Sequence, residues 1–257
     1  MERVVNIHAP IAEDILECKF VSPADGETVS FLLKDFRAAE TENAPALILY
    51  LHGALADQEQ GMTAEIFENA FGKWVSEFTR LQAIYVCPQY RSGSWMGPAA
   101  ETDLLEILRL LRVRYHPEKI LLIGGSMGGT SVLIFASLHP QSMDGVIALC
   151  PATDMAEMYF LFPEQFDVSY GGSPIEVPAE YQKRSVCFRS SQLENIPVVI
   201  IHGAADELIP VSHSRRLASQ LQGVNNRLRY VEIPAGDHNA PILYPLGKYL
   251  DFILKTP

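Results

Sequence analysis

The stretch Ile120–Thr130, ILLIGGSMGGT, limits what the chain can fold into more than any other. Four apolar residues, Ile120 to Ile123, read as a buried strand. Gly124-Gly125-Ser126-Met127-Gly128 follows without a spacer, and Gly129 to Ala136 read as the opening of a helix. This is G-x-S-x-G between a strand and a helix, a turn that lifts a serine hydroxyl clear of the backbone at the tip of a sheet. Gly124 and Gly128 are expected where a Cβ would strike the neighbouring strand or helix. Met127 opens the helix, so its N–H has no intrahelical acceptor and can donate to an oxyanion.

The rest of the chain supplies a sheet for that turn. Residues 1–13 read as a lead-in. Ile15–Ser22 and Val29–Phe36 alternate and carry β-branched and aromatic residues, and Pro23-Ala24-Asp25-Gly26 between them is a turn signal, which predicts an antiparallel hairpin. Glu40–Pro45 is polar connector. Ala46–Leu51 and Ala83–Pro88 are continuous apolar runs, the mark of strands covered on both faces. Thr63–Phe78 is helical in period, Gln89–Ala99 reads as a loop, and Glu101–Tyr115 places Leu104, Leu105, Leu108 and Leu111 on one helical stripe. His116-Pro117 ends that helix. Gly145–Cys150 is another buried strand, stopped by Pro151.

Ala152–Gln192 lacks regular alternation and reads as an insertion. Order resumes with the strand Pro197–Ile201, the loop His202–Pro210, the helix Val211–Leu221, the strand Arg229–Ile233, the loop Pro234–Ala240 and a closing helix over 241–254. Strand and helix alternate after the hairpin. The expectation is therefore an α/β fold: a mostly parallel, doubly wound sheet with an antiparallel N-terminal hairpin and a small insertion after the sixth strand. The span 1–257 is expected to be a single domain, with 152–192 cap-like.

A serine hydroxyl barely ionises at neutral pH, so it needs a base, and the base needs an orienting acid. Parallel strands bring their C-terminal ends to one edge, where open α/β sheets bind ligands. Val198–Ile201 runs toward Asp206, and Tyr230–Ile233 runs toward His238. Ser126, Asp206 and His238 thus share an edge. Ser126 is the expected nucleophile, His238 the general base and then acid, and Asp206 the acid that fixes the histidine tautomer. Asp237 and Asp154 stay open as alternative acids. Of the two oxyanion N–H donors, Met127 is one. The other comes from the loop after Ala46–Leu51, with Ala54 chosen and Leu55 second. His52 and His202 read as loop-pinning residues.

Composition narrows the partners. The 257 residues carry 20 Lys and Arg against 31 Asp and Glu, a net charge of −11. No basic patch is available to release counterions, so neither nucleic acid nor an anionic membrane is an expected partner. No apolar run reaches the roughly 20 residues of a membrane span, and MERVVNIHAPIAED has no signal-like apolar core. Cys18, Cys87, Cys150 and Cys187 are scattered, without C-x-x-C or zinc spacing, and read as buried packing residues in a reducing cytoplasm. No cofactor or metal is expected.

These residues resemble the α/β-hydrolase superfamily, through LILYLHGA, ILLIGGSMGGTSVL, IPVVIIHGAADELIPVSHSRRL and IPAGDH. Within it the chain is most similar to the prolyl-oligopeptidase-type catalytic domain and its esterase relatives. PQYRSGSWMG, GGSPIEVPAEYQKRS and the acid-bearing IPVVIIHGAADELIPVSHS carry that closer likeness. The departures are a hairpin where such peptidases carry a β-propeller, Met127 where an aromatic is frequent, and no H-G-G-G stretch. The resemblance implies ester or amide hydrolysis through an acyl-enzyme. The missing propeller favours a small or medium soluble ester, with a short peptide-like substrate as the alternative. Trp95, Met155 and Tyr159, with Met96, Met158 and Phe162, are candidate substrate-pocket residues. Arg91 reads as a structural ion pair ahead of a substrate-carboxylate anchor.

Overall fold

The computed structural model describes residues 6–7, 14–38, 44–54, 56–62 and 74–254. Within these, β1 (Asn6–Ile7), β2 (Ile15–Val21), β3 (Thr28–Asp35), β4 (Ala46–Leu51), β5 (Ile84–Pro88), β6 (Lys119–Gly125), β7 (Gly145–Leu149), β8 (Val198–Gly203) and β9 (Leu228–Ile233) form one sheet. Its order is β1-β2-β3-β5-β4-β6-β7-β8-β9. The run from β5 to β9 is parallel, while β1, β2 and β3 add antiparallel partners at the N-terminal edge. The fold is that of an α/β-hydrolase.

Strand periodicity explains the doubly wound core. In β4, Leu47, Leu49 and Leu51 enter one apolar cluster, and Ile48 and Tyr50 enter the other on the opposite face. β6 and β8 divide in the same way, with Leu122 and Ile200 on the first side and Ile123 and Ile201 on the second. Leu104 and Leu108 of α1 (Pro98–Tyr115) and Val132 and Phe135 of α2 (Met127–Leu138) cover the first face, with Leu217 of α6 (Ser212–Leu221). Trp74 and Phe78 of the helical residues 74–80 cover the second, with Leu250 and Ile253 of α7 (Gly247–Leu254).

The starts of two helices and the content of the insertion differ from the sequence reading. α1 begins at Pro98, because proline at the first helical position forfeits no hydrogen bond. The closing helix starts at Gly247 instead of 241. Pro241 and Pro245 interrupt the ladder there, and 241–246 form turns such as Tyr244 N–H to the Pro241 carbonyl. The insertion after β7 holds α3 (Met155–Tyr159), α4 (Pro163–Tyr170) and α5 (Pro178–Arg184), each too short to show a helical period. Residues 1–5 and 8–13 of the lead-in, 40–43 of the connector, Leu55, and 63–73 of the expected helix Thr63–Phe78 lie outside the described residues.

Candidate active site

Ser126 stands between β6 and α2 with φ 59° and ψ −122°, a conformation that a non-glycine residue adopts only under constraint. The constraint is contact on every side. Its N–H donates to the Leu149 carbonyl at 2.9 Å. A Cβ on Gly128 would lie 1.9 Å from the Leu51 carbonyl oxygen, so only glycine lets α2 start this close to β4.

The acid and histidine loops meet at the same edge. They are stitched together by Ala204 N–H to the Ile233 carbonyl (2.9 Å) and Ala205 N–H to the Gly236 carbonyl (2.8 Å). Gly203 permits the approach, since a Cβ there would sit 2.3 Å from the Asp237 carbonyl oxygen. Between these loops, His238 Nδ1 lies 2.7 Å from Asp206 Oδ2, and His238 Nε2 lies 2.9 Å from Ser126 Oγ. A carboxylate only accepts, so Nδ1 carries the proton and Nε2 faces the serine hydroxyl as an acceptor.

Asp206 has no exposed side-chain surface. Burial opposes its ionisation, but hydrogen bonds from His202, His238 and the Ile209 N–H outweigh burial and hold the carboxyl well below the usual carboxylate range. Its Oδ1 accepts from the N–H groups of Leu208 and Ile209, both at 2.9 Å. The alternative acids are engaged elsewhere. Asp237 is exposed and accepts from Asn239 and Ala240 N–H. Asp154 caps α3 through Ala156 and Glu157 N–H.

His52 and His202 pin loops. His52 Nδ1 bonds the Gly53 carbonyl at 2.9 Å, Tyr90 Oη donates to the His52 carbonyl at 2.6 Å, and burial pushes the His52 imidazole below its ordinary pKa. His202 Nε2 bonds the Ile209 carbonyl at 2.9 Å, and its Nδ1 lies 2.7 Å from Ser214 Oγ. The N–H groups of Met127 and Ala54 have no acceptor among the described residues, and Ala54 lines the cleft beside Ser126.

That cleft holds about 310 Å³ and is walled by Tyr50, Ala54, Gln60, Phe162, Leu208 and Ile242, with Asn239 beside His238. Trp95, Met155 and Tyr159 do not line it. Trp95 and Met155 are wholly buried. Trp95 stacks on Phe166 at 5.3 Å and donates from Nε1 to Gln165 at 2.8 Å, while Tyr159 packs edge-on against Tyr181 at 5.9 Å. These side chains seal the insertion onto the core, and Phe162 is the insertion's aromatic that reaches the cleft. Arg91 is held by Asp25 at 2.6 Å and Asp103 at 2.7 Å, a structural ion pair. No motif in the sequence marks Gln60, Leu208 or Ile242 as lining the cleft. Leu208 and Ile242 follow the acid and the histidine by two and four residues, which is the one signal they carry; Gln60 carries none.

Among the described residues, one set of side chains has metal-ligating chemistry in close proximity: Cys150, Asp206 and His238. No helix among them is long and apolar enough to cross a membrane.

A serine at the strand–helix turn, facing an imidazole backed by a carboxylate, is the arrangement found in serine hydrolases of the α/β-hydrolase type. The model of the prolyl oligopeptidase family matches residues 96–255, and the chain belongs to that family. It is 35% identical over 71 residues to a D-(-)-3-hydroxybutyrate oligomer hydrolase of Cupriavidus necator, spanning 26% of this chain and 10% of that protein. Two solved structures share the fold. A thermostable esterase superimposes with a TM-score of 0.70 at 18% identity, covering 95% of this chain and 62% of that one. An S-formylglutathione hydrolase from Agrobacterium tumefaciens gives 0.70 at 15% identity, covering 98% and 97%. The chain thus spans a tenth of the first relative and less than two thirds of the esterase.

Proposed function

We propose that the protein is a carboxylesterase that cleaves small or medium soluble esters through an acyl-enzyme, using Ser126, His238 and Asp206. The carrying observation is the relay of contacts, 2.9 Å from Ser126 Oγ to His238 Nε2 and 2.7 Å from His238 Nδ1 to Asp206. As Ser126 attacks the ester carbonyl, His238 takes its proton, and Asp206 stabilises the imidazolium. Met127 and Ala54 N–H groups receive the carbonyl oxygen as it becomes an oxyanion. The protonated His238 then returns its proton to the departing alkoxide. Water repeats the sequence to release the acid.

Ester is favoured over amide because an alkoxide is the better leaving group, whereas an amine must be protonated as it departs. The apolar walls supplied by Phe162, Leu208 and Ile242 suit an uncharged acyl or alkyl group. Membership of the prolyl oligopeptidase family supports the second reading, a serine peptidase or acyl-aminoacyl hydrolase. We read 1–257 as one hydrolase domain with 152–192 as a cap. Four unpaired, buried cysteines fit a reducing, cytoplasmic setting.

Two measurements test this. A fluorophosphonate probe should label the protein and fail to label Ser126→Ala; equal labelling of that variant would remove Ser126 as nucleophile. Nitrophenyl esters should exceed aminoacyl nitroanilides in kcat/KM, and the reverse order would establish the peptidase reading.

A further inference from the structure

Cys150 stands directly behind the proposed catalytic pair and has no part in the hydrolytic steps above. It follows β7 directly, with φ +42°; its N–H donates to the Ile201 carbonyl at 2.8 Å, and its side chain is wholly buried. Its Sγ, a carboxylate oxygen of Asp206 and a ring nitrogen of His238 all lie within 4.8 Å of one another. Bonds from a tetrahedral Zn²⁺ to sulfur, nitrogen and oxygen are about 2.0–2.3 Å long, which sets the ligand atoms roughly 3.3–3.8 Å apart.

We propose that Cys150, Asp206 and His238 form a binding site for a thiophilic divalent cation of the Zn²⁺ or Cd²⁺ type, and that its occupation switches the hydrolase off. The charges balance, since a thiolate and a carboxylate neutralise the ion and the imidazole binds neutral. The donor that must move least is already anchored, because Asp206 Oδ1 is fixed by the Leu208 and Ile209 N–H groups. To admit the ion, Nδ1 and Oδ2 open from 2.7 Å by about half an ångström, and Sγ, within 4.8 Å of both, closes to ligand spacing. Burial pushes the Cys150 thiol far above its ordinary pKa, and a coordinated metal displaces such a proton outright.

The proton balance gives the inhibition. The thiol proton leaves to solvent. The imidazole stays neutral: the Nδ1 proton leaves to solvent as the Nδ1 lone pair takes the metal, and Nε2 takes one proton from solvent in exchange. Nε2 then presents N–H to Ser126 Oγ and cannot accept the serine's proton, so the base is lost. Metal binding stands independently of the proposed function; the inhibition rests on it.

The test uses the full chain stripped of metal by a chelator. Co²⁺ should give a thiolate-to-metal charge-transfer band that Zn²⁺ displaces. Zn²⁺ should inhibit nitrophenyl-ester cleavage, EDTA should restore it, and Mg²⁺ should have no effect. Cys150→Ala should lose the band and need at least about tenfold more Zn²⁺ for half-inhibition, with its metal-free activity near that of the parent. Cys150→Ser, nearly isosteric and a poor zinc ligand, is expected to give the same readings and covers a failure of the alanine variant to fold. Absence of the band, or unchanged Zn²⁺ inhibition in both variants, overturns the proposal. A band in a protein with no esterase activity upholds the site and overturns the proposed function instead.

Discussion

Asp206 has a proposed role as the acid that orients His238 and a second place as a buried, hydrogen-bonded carboxylate, and Asp206→Asn tells them apart. The amide can still accept from Leu208 and Ile209 N–H, but its NH₂ cannot hold His238 in the Nδ1–H tautomer. Activity on a nitrophenyl ester is expected to fall by about 10⁴ with little change in KM. The carboxyl is also held below the usual range in the folded state. Such a group contributes stability that is fully present above its unfolded pKa of about 3.9 and lost as pH falls through the folded value. The stability difference between parent and variant should therefore be constant from about pH 7 to about pH 5 and decline below about pH 4, read from urea midpoints. A second residue-scale prediction concerns Gln60, whose Oε1 accepts the Gly53 N–H at 2.6 Å while the side chain lines the cleft. It positions the turn that presents Ala54 N–H. Gln60→Ala should lower kcat about tenfold, less than outright removal of an oxyanion donor, with KM changed little. Gln60→Glu, which keeps the acceptor, should recover part of that loss.

At the scale of elements, the close seating of α2 on β4 and the clasp of the insertion carry the consequences. Gly128→Ala would drive a Cβ to 1.9 Å from the Leu51 carbonyl oxygen, a clash with backbone that no rotamer relieves. The cost should reach or exceed the roughly 3 kcal/mol seen at the upper end for overpacked cores, visible as a lowered Tm and loss of fluorophosphonate labelling. The insertion grips the loop before α1 through consecutive carbonyls. Ser169 Oγ donates to the Ser94 carbonyl, Tyr170 Oη to that of Trp95 at 2.8 Å, and Arg184 Nη1 to that of Met96. Trp95 and Met96 both sit at positive φ, 45° and 55°, held there by these bonds. The Arg184 side chain has no exposed surface and pairs with Glu101 at 2.6 Å. Arg184→Met breaks the buried pair and should cost about 3–5 kcal/mol in urea unfolding. The combined variant Arg184→Met with Glu101→Gln should lose less stability than the sum of the two single losses, because the two side chains share one contact.

For the whole molecule, a net charge of −11 surrounds a cleft whose described walls include no lysine or arginine. An anionic ester is repelled on approach, and salt screens the repulsion. Raising ionic strength should therefore increase kcat/KM for a nitrophenyl hemisuccinate and leave nitrophenyl acetate almost unchanged. A parallel response of both esters would show that the long-range field does not govern encounter.

Much of this architecture is written locally. Apolar runs such as Ala46–Leu51 declare strands buried on both faces, and parallel strands bring their ends to one edge, so Ser126, Asp206 and His238 share that edge before any coordinates exist. What the chain could not declare is aim. Trp95 and Met155 are apolar whether they line a cleft or seal a core; tertiary packing buries both, Trp95 against Phe166 of α4. Gln60 owes its place to the fold of the loop after β4, where it meets Gly53, and Cys150 owes its place to the approach of the acid and histidine loops. Periodicity records that a side chain is removed from water. The partner it meets there is fixed by loop geometry and close packing between residues distant in sequence, and that is decided only when the tertiary structure forms.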